Sequence, residues 1–303
     1  MTKYLAIDVG GTNIKYATMD ETANILEKGE YATPMDDGLN GFLKVLHTIY
    51  ANHGRDAKAV VMSAPGRIDA DTGYFYTSGA LKYIDKVDLK ERVKEFISVP
   101  FAVENDAKAA ALAELWKGSM QGIQNGIVMT LGTGIGGAVI IDGKLYRGST
   151  FAAGEFSGMP TDYRRAPYDL GSMWAVENSV LHLVGDYAQR KHLDPKKCNG
   201  RILFDAANHN DPDALAAIDN FCQHLAAGIM NLQFVLDVQK VAVGGGISKQ
   251  PILIASLKKQ IHAYYDAAAE QGMPACIPEI TACTFGNDAN MIGALYHYLH
   301  MNH

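Results

Sequence analysis

The sequence has few cysteines, no long apolar run and no excess of basic charge, and each shortage excludes a class of protein. Four cysteines stand among 303 residues, Cys198, Cys222, Cys276 and Cys283. Their spacing matches no zinc or redox motif and fits a reducing compartment. No apolar stretch reaches the roughly 18 residues that span a bilayer. The opening residues, Met1 to Asp8, turn acidic too soon for a signal peptide. A cytoplasmic chain without membrane contact is therefore expected. The formal net charge of −6 argues against nucleic acid as the partner. The ten histidines form no ligand cluster, and none falls between His53 and His182. What remains is an ordinary globular composition, 48% hydrophobic and 20% charged, long enough for one large or two ordinary domains.

Glycine turns set between strands are the most informative feature. Tyr4 to Val9 reads as a buried strand, Gly10-Gly11-Thr12 as a turn, and Ile14 to Met19 as a second strand. The pattern restarts at Gly126 to Leu131, with Gly132-Thr133-Gly134-Ile135-Gly136-Gly137 and then Ala138 to Ile141. This internal similarity has the form of a duplicated domain. Further strands are expected at 57–63, 99–103 and 240–243, and helices at 39–52, 87–96, 106–117, 172–190, 212–236, 251–271 and 287–299. No low-complexity linker separates the halves, so two lobes with a cleft between them are expected: 1–118, with 287–303 packing back on it, and 119–286.

The first turn carries more than a hairpin requires. Adjacent glycines let backbone N–H groups approach an anion. Thr12 and Asn13 add hydrogen bonds, Lys15 a positive charge, and Asp8 a carboxylate suited to a magnesium shell. It is neither a Walker A loop nor a dinucleotide fingerprint, since both run into a helix. Gly244-Gly245-Gly246 follows a strand as a nucleotide shelf, with Ser248 placed to cap the next helix. Glu104-Asn105-Asp106 lies where a strand meets an Ala-rich helix ending at Gly118. A carboxylate at a helix N-terminus is held in place, as a base for phosphoryl transfer must be. Gly154-Glu155-Phe156-Ser157-Gly158 is a further polar turn, whose Glu155 can accept bonds from two sugar hydroxyls.

Taken in order, these motifs resemble the ROK family (repressors, open reading frames and sugar kinases) over nearly the whole chain. The resemblance rests on Asp8 to Lys15, Ala64-Pro65-Gly66 with Asp69, Glu104-Asn105-Asp106, Leu131 to Gly137, Gly154-Glu155 and Gly244 to Gly246. It implies an α/β, actin-like ATPase (ribonuclease H-like) duplicated fold, with ATP and Mg2+ as cofactors and a sugar as substrate. By resemblance, Asp8, Gly10, Gly11, Thr12, Asn13, Lys15, Gly132, Thr133, Gly134, Gly136, Gly245 and Gly246 bind ATP, and Asp8 holds magnesium indirectly. Asn105, Glu104, Glu155, Gly66, Gly79 and Ala80 are implied on the sugar, and Asp106 is implied as the base that activates the 6-hydroxyl. A homodimer is expected.

One departure bears on substrate. Many members have a histidine three residues after the glutamate and a cysteine-rich segment, which together bind zinc. Here Gly158 stands in that place and residues 159–197 contain no cysteine, so no zinc is expected. Members without zinc that look similar include β-glucoside kinases and kinases of glucose or N-acetylmannosamine. Losing the histidine contact predicts a pocket open around the anomeric carbon and a β-glucoside as substrate. Phe151, Phe156, Met159 and Trp174 lie near enough in sequence to line it, or one of them fills the vacancy and keeps the enzyme specific for a free hexose. A sugar-responsive repressor would need a winged helix-turn-helix before the first turn, for which Asp8 leaves no room, and a catalytically inactive sugar sensor would not need Asp106.

Overall fold

The computed structural model describes residues 2–165, 169–274 and 276–300. The chain forms two compact units: Met1–Gln121, Arg147–Ala153 and Asn287–His303 in unit 1, and Gly122–Tyr146 with Gly154–Gly286 in unit 2.

Unit 1 opens on β1 (Tyr4–Val9), buried along its whole length. β2 (Asn13–Met19) returns antiparallel to it, and β3 (Ile25–Ala32) continues the meander at the sheet edge. The sequence reading missed β3. Its Glu27, Lys28 and Glu30 suit a solvated edge strand, which lacks the apolar run of a buried one. α1 (Gly38–His53) buries Phe42, Leu46, Ile49 and Tyr50, a helical stripe. β4 (Val60–Ala64) lies parallel to β1. A small antiparallel sheet follows, β5 (Ile68–Asp69), β6 (Tyr74–Phe75) and β7 (Val87–Asp88). The helix expected over 87–96 is shorter, because Val87 and Asp88 pair in that sheet. Asp88 then caps α2 (Leu89–Val93) by accepting from the Glu91 N–H. β8 (Phe101–Asn105) completes the order β3-β2-β1-β4-β8 and leads without a loop into α3 (Asp106–Lys117). The C-terminal helix Ala289–His300 packs on α3 closely enough that a side chain at Gly293 would collide with the Ala109 backbone.

Unit 2 repeats the plan. β9 (Gly126–Leu131), β10 (Ile135–Ile141) and β11 (Lys144–Tyr146) form a meander. The expected helix over 172–190 is divided into α4 (Trp174–Glu177) and α5 (Val180–Arg190), where Ser179 caps α5 through the His182 N–H. α6 (Gly200–Asn208), unforeseen in the sequence, precedes α7 (Pro212–Leu236). β12 (Lys240–Gly245) lies parallel to β9, α8 (Pro251–Glu270) follows, and β13 (Glu279–Ala282) closes the order β11-β10-β9-β12-β13. Both sheets thus run as an antiparallel meander followed by two parallel strands. Each unit has its own apolar core, one around Ile7, Leu46 and Met62, the other around Ile127, Trp174 and Leu225.

Candidate active site

In unit 1 the β8–α3 junction fixes Asn105 and Asp106 together. Asn105 is extended at φ −61°, ψ 144°, and its side-chain oxygen accepts the Lys108 N–H at 3.0 Å, capping α3. Its amide nitrogen donates to Gly66 O at 2.9 Å and to Asp106 Oδ1 at 3.0 Å. The same Oδ1 accepts the Ala107 N–H at 2.8 Å. Asp106 is half-buried, while Asn105 is enclosed. Gly66 has φ +106°, and a side chain there would strike the Thr77 carbonyl, so only glycine allows this approach. Gly79 and Ala80 form the exposed end of the neighbouring loop, Gly79 at φ +62° beside Pro65.

Glu104, grouped with the sugar-facing residues on sequence, points into the interior and is 1% exposed. One oxygen accepts the Asn105 N–H at 2.9 Å. The other takes Arg147 Nε at 3.0 Å and Nη2 at 2.6 Å. His297 lies 4.0 Å away, and burial pushes its imidazole below the usual range. Arg147 is 43 positions from Glu104, and no spacing in the sequence announces the pair.

The β1–β2 turn closes through the Gly10 N–H on Asn13 O at 3.0 Å, and Thr33 Oγ1 donates to Gly10 O at 2.7 Å. A Cβ at Gly10 would meet Asn13 O at 2.9 Å, so this glycine serves the turn itself. Gly11 differs: it is exposed, and a Cβ there would meet nothing within 4 Å. Among the described residues, no hydrogen bond engages the Gly11 or Thr12 N–H. Asp8, 8% exposed, presents Oδ1 to Ser63 Oγ at 2.8 Å and Asn290 Nδ2 at 2.9 Å. Among the described residues its second oxygen carries no hydrogen bond and remains suited to a magnesium-bound water.

The second turn, in unit 2, closes through the Gly132 N–H on Gly134 O at 3.0 Å. A Cβ at Gly132 or Gly246 would meet nothing within 4 Å, whereas one at Gly245 would strike the Leu131 carbonyl. Gly245 (φ +94°) therefore serves strand packing, while Gly11, Gly132 and Gly246 leave backbone open. Ser248 does not cap a helix, since its hydroxyl donates to Gly245 O and α8 begins only at Pro251. Gly154 and Gly137 approach so closely that neither tolerates a side chain, which seats the Glu155 turn on β10. Ser157 Oγ locks it by accepting the Ile135 N–H and donating to Ile135 O. Glu155 is exposed. Phe156, at 4% exposure, belongs to the core, pressed on Gly137, whereas Trp174, pressed on Gly228, lines with Met159 a cavity of about 470 Å³ in unit 2. Gly158 is exposed, and a Cβ there would meet nothing within 4 Å.

A model of the ROK family matches residues 4–300. The sequence is 31% identical over 297 residues to a β-glucoside kinase of Klebsiella pneumoniae, covering 98% of this chain and 96% of that one. Among solved structures, a ROK family protein from Streptococcus pneumoniae in complex with sucrose is similar at a TM-score of 0.85 and 31% identity, covering 98% of each chain. A ROK family glucokinase from Streptomyces griseus in complex with glucose and AMPPNP is similar at 0.82 and 26% identity, over 97% of this chain and 98% of that one.

Proposed function

The chain belongs to the ROK family, has an actin-like ATPase fold and is an ATP-dependent sugar kinase, and we propose that it phosphorylates the 6-hydroxyl of a β-glucoside with Asp106 as base. Asn105 and the Ala107 N–H hold Asp106 Oδ1, which fixes the direction of the carboxylate that would orient the hydroxyl and take its proton late. Asn105, Glu155 and the Gly66 and Gly79-Ala80 backbone hold the sugar, and Glu104 acts beneath them. The glycine turns Gly10–Asn13, with Lys15, and Gly132–Gly136 hold the phosphates, and Gly245-Gly246 lies against the adenosine. Magnesium, held through water by Asp8, would neutralise phosphate charge, and zinc is not required. The assembly proposed is a homodimer. Action in the cytoplasm fits the cysteine usage.

The choice of a β-glucoside rests on Gly158. Open space surrounds the position that would carry a histidine, and Phe156 is buried against Gly137 rather than turned into that space. One lost hydrogen bond to a sugar costs about 0.5–1.5 kcal/mol, which apolar burial of an aglycone recovers. The test compares kcat/KM for cellobiose, an aryl β-glucoside, glucose and N-acetylmannosamine in the wild type and Gly158→His. The β-glucosides should lead in the wild type, and the histidine should move preference toward free glucose. A free monosaccharide leading by more than about tenfold in the wild type would instead make this a hexose kinase.

A further inference from the structure

Residues Arg147–Ala153 form a strap that belongs to unit 1, although the chain on either side of it belongs to unit 2. The strap folds back on itself: the Ala153 N–H donates to Arg147 O at 3.2 Å, Gly148 lies at φ +72°, and Phe151 at φ +59°. A phenylalanine rarely adopts that conformation, so the surroundings must impose it. Two cations do so. Lys108, 1% exposed, donates from Nζ to Phe151 O at 3.2 Å, and Arg147 places two N–H groups on Glu104 Oε2. Both anchors lie within three residues of Asp106 at the start of α3.

From Arg147 a continuous line of hydrogen bonds reaches the base. Arg147 holds one oxygen of Glu104, the other holds the Asn105 N–H, and the Asn105 amide holds Asp106 Oδ1. A buried carboxylate stays fixed as an anion only beside its cation, and losing the cation leaves an uncompensated charge that must move, protonate or recruit water. We propose that Arg147 is a positioning residue for phosphoryl transfer: through Glu104 and Asn105 it sets the direction in which Asp106 presents its carboxylate. This rests on Asp106 being the base and is independent of which sugar is bound. The strap runs directly into Gly154 and Glu155, so the residue that aims the base also begins the segment bearing the proposed sugar ligand.

The test measures kcat and KM for Arg147→Met, Arg147→Lys and the charge-neutral double variant Glu104→Gln/Arg147→Met. A catalytic group displaced by about an ångström loses on the order of 100-fold in rate. Arg147→Met should therefore lose about 10–100-fold in kcat with KM for ATP within about threefold, and Arg147→Lys should recover part of the loss. If Arg147→Met does not fold, the double variant removes the charge imbalance and should still lose at least about tenfold in kcat. In an Asp106→Asn background, Arg147→Met should cost nothing further. A folded Arg147→Met or double variant with kcat within about twofold of wild type overturns the positioning role while leaving Asp106 as base. A loss below about tenfold for Asp106→Asn alone removes the base, and the positioning role with it.

Discussion

At the scale of single residues, the glycines of the site separate by what needs them. Gly66, Gly137, Gly154 and Gly245 are required by the protein's own backbone, which leaves no space for a side chain. Gly11, Gly132 and Gly246 are not, and their open backbone suits close approach to an anion. Gly11 also lies outside the left-handed region, so its backbone angles do not themselves require glycine. Gly11→Val should therefore fold with little loss of stability while raising KM for ATP about tenfold or more, equivalent to about 1.4 kcal/mol. Unchanged ATP kinetics in the folded variant would reduce the turn to a hairpin. Cys222 lies at the other extreme of reactivity, since burial pushes its thiol up to about 12.

Among the elements, the strand–glycine–strand units were legible because buried strands read as continuous apolar runs and their turns as glycine pairs. The β8–α3 junction was legible for a similar reason, since Asn105 is both a cap and a candidate ligand. Edge strand β3 was not legible, because its residues face water, and α4 and α5 merged into one stretch because their apolar periodicity hides the break at Asn178-Ser179. The turn between β2 and β3 is organised by Asp20. It accepts from the Asn24 side chain at 2.8 Å and from the Thr22 and Asn24 N–H groups at 2.9 and 3.0 Å. These bonds, led by the Asn24 amide, hold its carboxyl down to about 2. The folded state thus keeps the anion where the unfolded chain takes up a proton. The contribution is complete above the ordinary carboxylate range and fades as pH falls through about 4 toward 2. Asp20→Ala should cost about 1–2 kcal/mol in urea unfolding near pH 7. The gap to wild type should narrow at pH 3, and a gap independent of pH would place the stabilisation elsewhere.

Over the whole molecule, the duplication was readable from two glycine turns, and the shared order of both sheets gives it a topological form. The ion pair between Glu104 and Arg147 was not readable, because only the folded chain brings positions so far apart in sequence together. Glu104 stood beside two candidate ligands and was grouped with them, whereas strand alternation turns its side chain inward. The central claim is that this fold holds Asp106 as the base of a sugar kinase. Sugar-dependent release of ADP from ATP, measured for wild type and Asp106→Asn with ATP and sugar binding checked in parallel, tests it most directly. Wild type should release ADP only with an acceptor sugar, and the variant should lose about 10²–10⁴-fold in kcat while binding both ligands nearly as well. A variant that loses less than about tenfold would assign the base elsewhere.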